Sequence, residues 1–359
     1  MRPAVVAPFL FLVAFSAACG GGGGTAQPTP LPTAKPTGPA AFDFHGATHV
    51  SWWHDEYGNA NATTSRAALA GTNGSWSGLL VSEYMDKLDS NSMAPSADRT
   101  PEIAVLRKAI EEFHGLGLKV MLKPHVDVND GTWRGAIRPS NPAAWFASYR
   151  SFIARWAVFA AENRVEMLCI GTELSTMTDP TYAAEWNAVV ETVKASYGGP
   201  LTYAANAVSA GDEFTRVPFW SRLDYIGLDV YTPLTNSNSP TYDTLVAAWR
   251  RNSSGEDMVA AFKNVSQSRG KPVLFTEIGY RSMDGTNKAP WDWQVTAGVD
   301  NAEQADCYEA MFTVWSGETS WMKGAFWWSW GVGQPAAGDT GYEPWTKPAE
   351  TVLKRWQKR

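Results

Sequence analysis

Val165-Glu166-Met167-Leu168-Cys169-Ile170-Gly171-Thr172-Glu173-Leu174 is a short apolar run that closes on a glutamate. Lys271-Pro272-Val273-Leu274-Phe275-Thr276-Glu277-Ile278-Gly279-Tyr280 repeats that design about a hundred residues later. Each run is too short for a helix and is bounded by turn residues, as expected of a buried strand in a parallel sheet. A carboxylate at the end of such a strand costs free energy unless it is paired or used. Two of them on separate strands suggest a site where one carboxyl gives a proton and the other acts as a base or nucleophile.

Working outward from these strands, the chain alternates strand with helix. Before them come strands over Gly46–Trp53, Gly78–Met85 and Leu118–Val128. Ile103, Leu106, Ile110 and Phe113 recur at helical spacing within a helix over Glu102–Leu116. Asn141 and Pro142 mark the start of a long amphipathic helix reaching Asn163. Further on, a helix over Tyr182–Tyr197 precedes strands over Leu201–Asn206 and Leu223–Tyr231, and Thr244–Gln267 reads as mostly helical. The C-terminal part supplies helix Ala302–Trp315, strand Gly324–Trp330 and helix Pro348–Gln357. This rhythm of eight strands predicts an α/β fold, a single (β/α)8 TIM barrel spanning residues 42–359. A doubly wound open sheet is the runner-up, but the Gly-rich phosphate loop expected after its first strand is missing.

The segment before the barrel has a different character. Arg2, the apolar stretch Ala4–Phe15 and the small residues Ser16-Ala17-Ala18 describe an export signal over residues 1–19. Cleavage before Cys19 would resemble bacterial lipoprotein processing, although Ser16 stands where a leucine is usual. Residues 20–41, rich in Gly, Pro and Thr, read as a disordered tether. The expected location is therefore outside the cytoplasm, either secreted or held at the bacterial surface through a lipid on Cys19. An ordinary secretory signal with an incidental cysteine is the alternative. Asn-x-Ser/Thr triplets at Asn61, Asn73, Asn252 and Asn264 matter only in a eukaryotic secretory route.

Composition narrows the function. A formal net charge of −6 argues against nucleic acid as a partner. Eighteen tryptophans in 359 residues fit either a core of large rings or a groove whose indole faces stack on sugars. The three cysteines, Cys19, Cys169 and Cys307, lie in a leader, a strand and an expected surface helix, a placement that does not favour a disulfide. No metal-ligand spacing occurs, and neither a metal nor a cofactor is expected.

In a parallel barrel the active site lies at the C-terminal ends of the strands. Those ends carry Trp52, Trp53 and His54, then Glu83 and Tyr84, then Lys123-Pro124-His125-Val126-Asp127 followed by Trp133 and Arg134. The remaining strands end in Glu173, Asn206, Asp229-Val230-Tyr231, Glu277 and Trp327-Trp328-Ser329-Trp330. Strands four and seven lie on opposite sides of the barrel, so Glu173 and Glu277 can face each other across its mouth. Retaining glycoside hydrolysis needs two carboxyls about 5–5.5 Å apart, one protonated and one ionised. Tyr231 or Tyr280 is expected to donate a hydrogen bond to Glu277, and burial or the charge of Glu277 to keep Glu173 protonated. His125 and Asn206 are placed to grip hydroxyls near the cleaved bond, and Trp53, Trp133, Trp328 and Trp330 to meet sugar faces. Asp127 and Asp229 join these candidates for substrate binding, with ion pairing to Lys123, Arg134 or Arg281 preferred over direct catalysis.

Glutamates closing strands four and seven resemble the large clan of retaining (β/α)8 glycosidases. Lys123-Pro124-His125-Val126-Asp127, Trp133-Arg134-Gly135, Gly171-Thr172-Glu173-Leu174, Gly227-Leu228-Asp229-Val230-Tyr231 and Phe275-Thr276-Glu277-Ile278-Gly279-Tyr280-Arg281-Ser282 together resemble glycoside hydrolase family 113. The resemblance covers nearly all of residues 42–358. It implies an endo-β-1,4-mannanase that retains anomeric configuration, with Glu173 as acid/base, Glu277 as nucleophile and β-mannan or a related polysaccharide as substrate. One departure from the wider clan is Thr172, where many members carry an Asn that binds the sugar 2-hydroxyl. A β-glucanase or exo-mannosidase on the same scaffold is the alternative within this class. Outside it stands a lipoprotein that merely captures oligosaccharide, but such a protein gains nothing from a protonated carboxyl beside an ionised one. The chain is expected to act as a monomer.

Overall fold

The computed structural model describes residues 42–357. The export signal, the tether and Cys19 lie outside the described residues. Eight parallel strands form a closed barrel in sequence order: β1 (Phe44–Val50), β2 (Trp76–Met85), β3 (Lys119–Val128), β4 (Met167–Thr172), β5 (Leu201–Asn206), β6 (Ile226–Val230), β7 (Val273–Ile278) and β8 (Met322–Gly331). Around it run α1 (Ala60–Ala70), α2 (Ile103–Gly115), α3 (Pro142–Glu162), α4 (Ala183–Lys194), α5 (Tyr242–Ala248), α6 (Met258–Arg269), α7 (Asn301–Trp315) and α8 (Pro348–Trp356). This is a (β/α)8 barrel.

The start of α3 follows from its capping residues. The Asn141 side chain accepts from the Ala144 amide at 3.2 Å, and Pro142 occupies the first turn, where its missing N–H is no loss. Three connections differ from the sequence reading. Helix α1 carries mostly Ala, Asn and Thr with no apolar stripe, so periodicity misses it; Asn59 nevertheless caps it through the Ala62 amide at 2.8 Å. Two single-turn 3-10 segments, Glu213–Thr215 and Trp220–Arg222, bridge β5 to β6. The expected helix over Thr244–Gln267 is two helices. The break centres on Asn252, whose side chain accepts from the amides of Ser254 and Glu256, and on Gly255 at φ +80°.

The barrel interior is layered. Its lower part is apolar, filled by Phe44, Trp76, Met121, Met167, Leu274 and Phe326. Its upper part is polar, with Lys123, His125, Asp229 and Thr276 wholly buried. A larger apolar layer lies between strands and helices. Cys307, expected on a surface helix, is buried with the whole inner face of α7, which packs against α5 and α8. Both described cysteines are free thiols.

The register of β8 determines which of its tryptophans reach the barrel mouth. Ala47 pairs with Trp327, but His49 pairs with Trp330, so β8 holds one extra residue over that step. Such a bulge inverts the in/out alternation beyond it. Trp327 stacks outward on Tyr308 at 3.7 Å between ring centroids. Trp330 also faces outward, stacking on Trp345 and donating Nε1–H to the Ser65 carbonyl of α1 at 3.0 Å. Trp328 lies between them and faces the mouth.

Candidate active site

Glu277 lies one residue before the end of β7 with its side chain directed into the barrel mouth. The Lys123 ammonium donates to its Oε1 at 2.5 Å, and the Tyr231 hydroxyl donates to its Oε2 at 2.7 Å. Lys123 also donates to both oxygens of Asp229, at 3.1 and 3.0 Å, while the Thr276 hydroxyl donates to Asp229 Oδ1 at 2.7 Å. Burial opposes the charge of Lys123, but Asp229 and Glu277 outweigh it and hold its pKa above the ordinary lysine value. Burial, with the adjacent Glu277 charge, raises the Asp229 pKa against the pull of Lys123. One buried cation therefore serves two carboxyls.

Glu173 immediately follows β4, in the left-handed region at φ +51°. A non-glycine residue there is costly and persists only where its surroundings enforce it. Three bonds do so here. The Glu173 amide donates to the Ala204 carbonyl at 2.8 Å, and the Leu174 amide donates to the Tyr203 hydroxyl at 2.7 Å. Tyr203 in turn donates to the buried Glu213 at 2.6 Å. The Glu173 side chain meets Arg134 Nη1 at 3.1 Å and Trp133 Nε1 at 3.3 Å, both on Oε2, which leaves Oε1 free to carry a proton. Arg134 is anchored by Asp127 Oδ1 at 3.0 and 2.5 Å. Burial is the main reason the Glu173 pKa rises to about 8; the Asp229 and Glu277 charges add to it, and Arg134 works against it. Lys123 and Arg134 face Asp127, Glu173, Asp229 and Glu277, so carboxyls outnumber cations. A proton held on Glu173 reduces that imbalance.

Both glutamates line one cleft of about 450 Å³ at the C-terminal mouth of the barrel. Trp53, Tyr231 and Trp328 line it as well. Below its surface, His125 stacks on Trp328 with planes 8° apart and holds Nε2 at 3.8 Å from Glu277 Oε1. Burial keeps that imidazole neutral, its pKa well below the usual value. Asn206 is buried, gives its side-chain amide to Asp212 at 2.9 Å and retains an unpartnered Oδ1. Asp127 and Asp229 are occupied by Arg134 and Lys123, and Trp133 reaches the site through Glu173. Tyr280 and Trp330 point away from the cleft. Tyr280 is three residues beyond Glu277, an odd number that puts it on the opposite face, and packs near Cys307 and Tyr308, and the β8 bulge turns Trp330 outward. Of the two tyrosines offered to Glu277, Tyr231 makes the bond. Glu83 points outward to Arg155 and Trp156.

The cleft also holds Trp52, Trp291, Trp293, Tyr342 and Glu343, none of which belongs to the quoted motifs. Two loops deliver most of them: residues 279–300 after β7 and 332–347 after β8. Arg281 joins these loops by donating to the carbonyls of Val295 at 2.5 Å and Thr340 at 3.1 Å. Loops of such length without regular structure usually carry function, and this was the available sequence signal. Thr172 is buried and does not line the cleft.

The sequence model of Glycoside Hydrolase Family 113 matches residues 48–347. A family 113 β-mannanase from Alicyclobacillus acidocaldarius, solved in complex with ManMIm, superposes with a TM-score of 0.77 at 31% identity, covering 88% of this chain and 96% of its own. Another structure, of a family 113 β-1,4-mannanase, gives a TM-score of 0.75 at 24% identity over 87% of this chain and 97% of its own, a likeness of fold. The endo-β-1,4-mannanase from Thermotoga petrophila shares the fold more distantly, with a TM-score of 0.54 at 12% identity over 87% of this chain and 76% of its own. None of the curated proteins matches the sequence.

Proposed function

The chain belongs to glycoside hydrolase family 113, and from that premise we propose that it cleaves internal β-1,4-mannosidic bonds of mannan or glucomannan with retention of configuration. That it is a glycoside hydrolase follows from the family; the polymer, the endo action and the stereochemistry are the proposal. The observation that carries it is the unequal treatment of two carboxyls in one cleft. Glu173 is buried, with its pKa raised to about 8, while Glu277 sits against the Lys123 ammonium and the Tyr231 hydroxyl.

In the first step Glu277 attacks the anomeric carbon. The glycosidic C–O bond breaks as the Glu173 proton passes to the leaving oxygen, and a sugar ester forms on Glu277. In the second, water gives a proton to Glu173 and attacks the same carbon, releasing the sugar and restoring the Glu277 carboxylate. Two inversions amount to retention. Lys123 and Tyr231 hold Glu277 at fixed positions, so little reorganisation accompanies attack. Arg134 and Trp133 occupy Oε2 of Glu173, so the proton resides on Oε1. Export, with a lipid anchor on Cys19, suits a substrate too large to enter a cell.

The test is a time course of products from mannan, glucomannan and cellulose, with the anomer followed by proton NMR. Early oligosaccharides of mixed length from the two mannans, released as the β-anomer, are expected. Monomer alone would replace endo with exo action, a preference for cellulose would move the substrate to glucan, and a first-formed α-anomer would remove the double displacement.

A further inference from the structure

We propose that Glu343, in the loop after β8, is a specificity-determining residue that grips the sugar next to the one attacked, on the side away from the leaving group. This deepens the mannanase reading and rests on it.

The buried glutamates of this fold are well supplied with donors. Glu213 accepts from Ser175, Thr178, Tyr203 and the Asn206 amide. Glu303 accepts from Gly285 and Asn287. Glu343 is half-buried in the wall of the cleft, and among the described residues it meets, beyond its own backbone amide, only the Ser329 hydroxyl, at 3.5 Å. The cation that acts on it, Lys347, is bonded to Asp339 at 2.8 Å. Burial and the charge of Asp339 accordingly push the Glu343 pKa up. A carboxyl so short of partners is poised to accept hydrogen bonds from something that enters the cleft.

Two glycines keep the approach open. A Cβ on Gly331 would come within 3.3 Å of Glu343 Oε1, and one on Gly341 within 2.7 Å of Oε2. Neither glycine has a positive φ, so the backbone does not require them there. Space around the carboxyl does.

The position of Glu343 identifies the sugar it would meet. Strand β8 lies diametrically across the closed barrel from β4, whose Glu173 is the leaving-group side. Glu343 and Glu277 line the same cleft, with Tyr231 bonded to Glu277 and its ring 6.3 Å from that of Tyr342, the chain neighbour of Glu343. A sugar next to the one held at Glu277 would lie along this wall of the cleft. A vicinal pair of hydroxyls there would donate to both oxygens of Glu343, which a single donor could not satisfy.

The test compares kcat/KM on an aryl β-mannoside, with one sugar on the glycone side, and on the aryl β-mannobioside, with two. The glucoside and cellobioside pair is run in parallel. Glu343→Ala is expected to lower kcat/KM about 10- to 100-fold on the two-sugar substrate of whichever series the wild type cleaves, while the one-sugar substrate is unchanged. Glu343→Gln, which preserves shape and one acceptor, should fall between, and an unchanged melting curve checks its fold. Equal losses on both substrates, or no loss on either, would overturn the assignment. Wild-type turnover of only the glucoside series would overturn the mannanase reading while still testing Glu343, and inactivity in both series would overturn both.

Discussion

The floor and the rim of the cleft are built on different principles. The floor consists of strand ends and the turn after β3, where Lys123, Asp229 and Glu277 on one side and Arg134, Asp127 and Glu173 on the other form a buried lattice of ionisable groups. The rim consists of loops that present Trp52, Trp53, Trp291, Trp293 and Tyr342. Buried, prearranged charges act on the transition state, where charge develops; flat aromatic faces bind a sugar about equally before and during reaction. The contrast assigns rate to the floor and affinity to the rim.

The strongest test is removal of Glu277. Glu277→Ala should lower kcat by at least ~10⁴-fold while binding of mannan oligosaccharides persists, measured by calorimetry. Azide should restore turnover only with inverted product, the α-mannosyl azide; a β-azide would take the nucleophile role away from Glu277.

Next in size is Glu173→Ala. Loss on mannan of about 10²–10⁴-fold is expected, but formation of the sugar ester from a dinitrophenyl mannoside, whose leaving group needs no proton, should survive. Equal loss on both would deny Glu173 the role of acid.

The floor should also cost stability in a pH-dependent way. A raised pKa means that the folded state holds the Glu173 proton more tightly than the unfolded chain does. The associated stability is full below the ordinary carboxylate pKa and is lost as pH rises toward about 8. Glu173→Gln, which cannot ionise, should therefore match the wild type near pH 4.5 and melt higher above pH 8, by an amount on the order of 2 kcal/mol. A wild type that gains stability relative to this variant with rising pH would contradict the assigned shift. Activity should decline over the same alkaline range as the acid loses its proton.

The smallest effect belongs to the rim. Trp293→Ala should raise KM on mannan about tenfold and leave kcat nearly unchanged, the signature of lost uniform binding. A fall in kcat instead would blur the division between rim and floor.

The same division explains what could be read in the sequence. The floor is legible because a strand confines a side chain to one of two faces and the barrel brings all C-terminal ends together. Lys123, His125, Glu173, Asp229 and Glu277 could thus be assembled from motifs alone. Where strand geometry departs from simple alternation, reading fails: the extra residue in β8 sends Trp330 outward, and nothing in Trp327-Trp328-Ser329-Trp330 announces it. Tyr280 was within reach of parity counting from Glu277, which places it on the opposite face. The rim is poorly legible, since Trp291, Trp293, Tyr342 and Glu343 reach the cleft through loop paths fixed by tertiary bonds such as those of Arg281. Helix α1 escaped for a related reason: packing and an Asn59 cap hold it, without an apolar stripe.

The closeness of the two glutamates has a consequence in time. The negative charge on Glu277 is one cause of the proton affinity of Glu173. In the double displacement proposed above, that charge would be spent in an ester with the sugar, the affinity would drop, and Glu173 would be left as the base that the arriving water requires. When the ester breaks, the charge would return and the proton would be held again. In that scheme the cleft would switch its own acid to a base and back within each turnover.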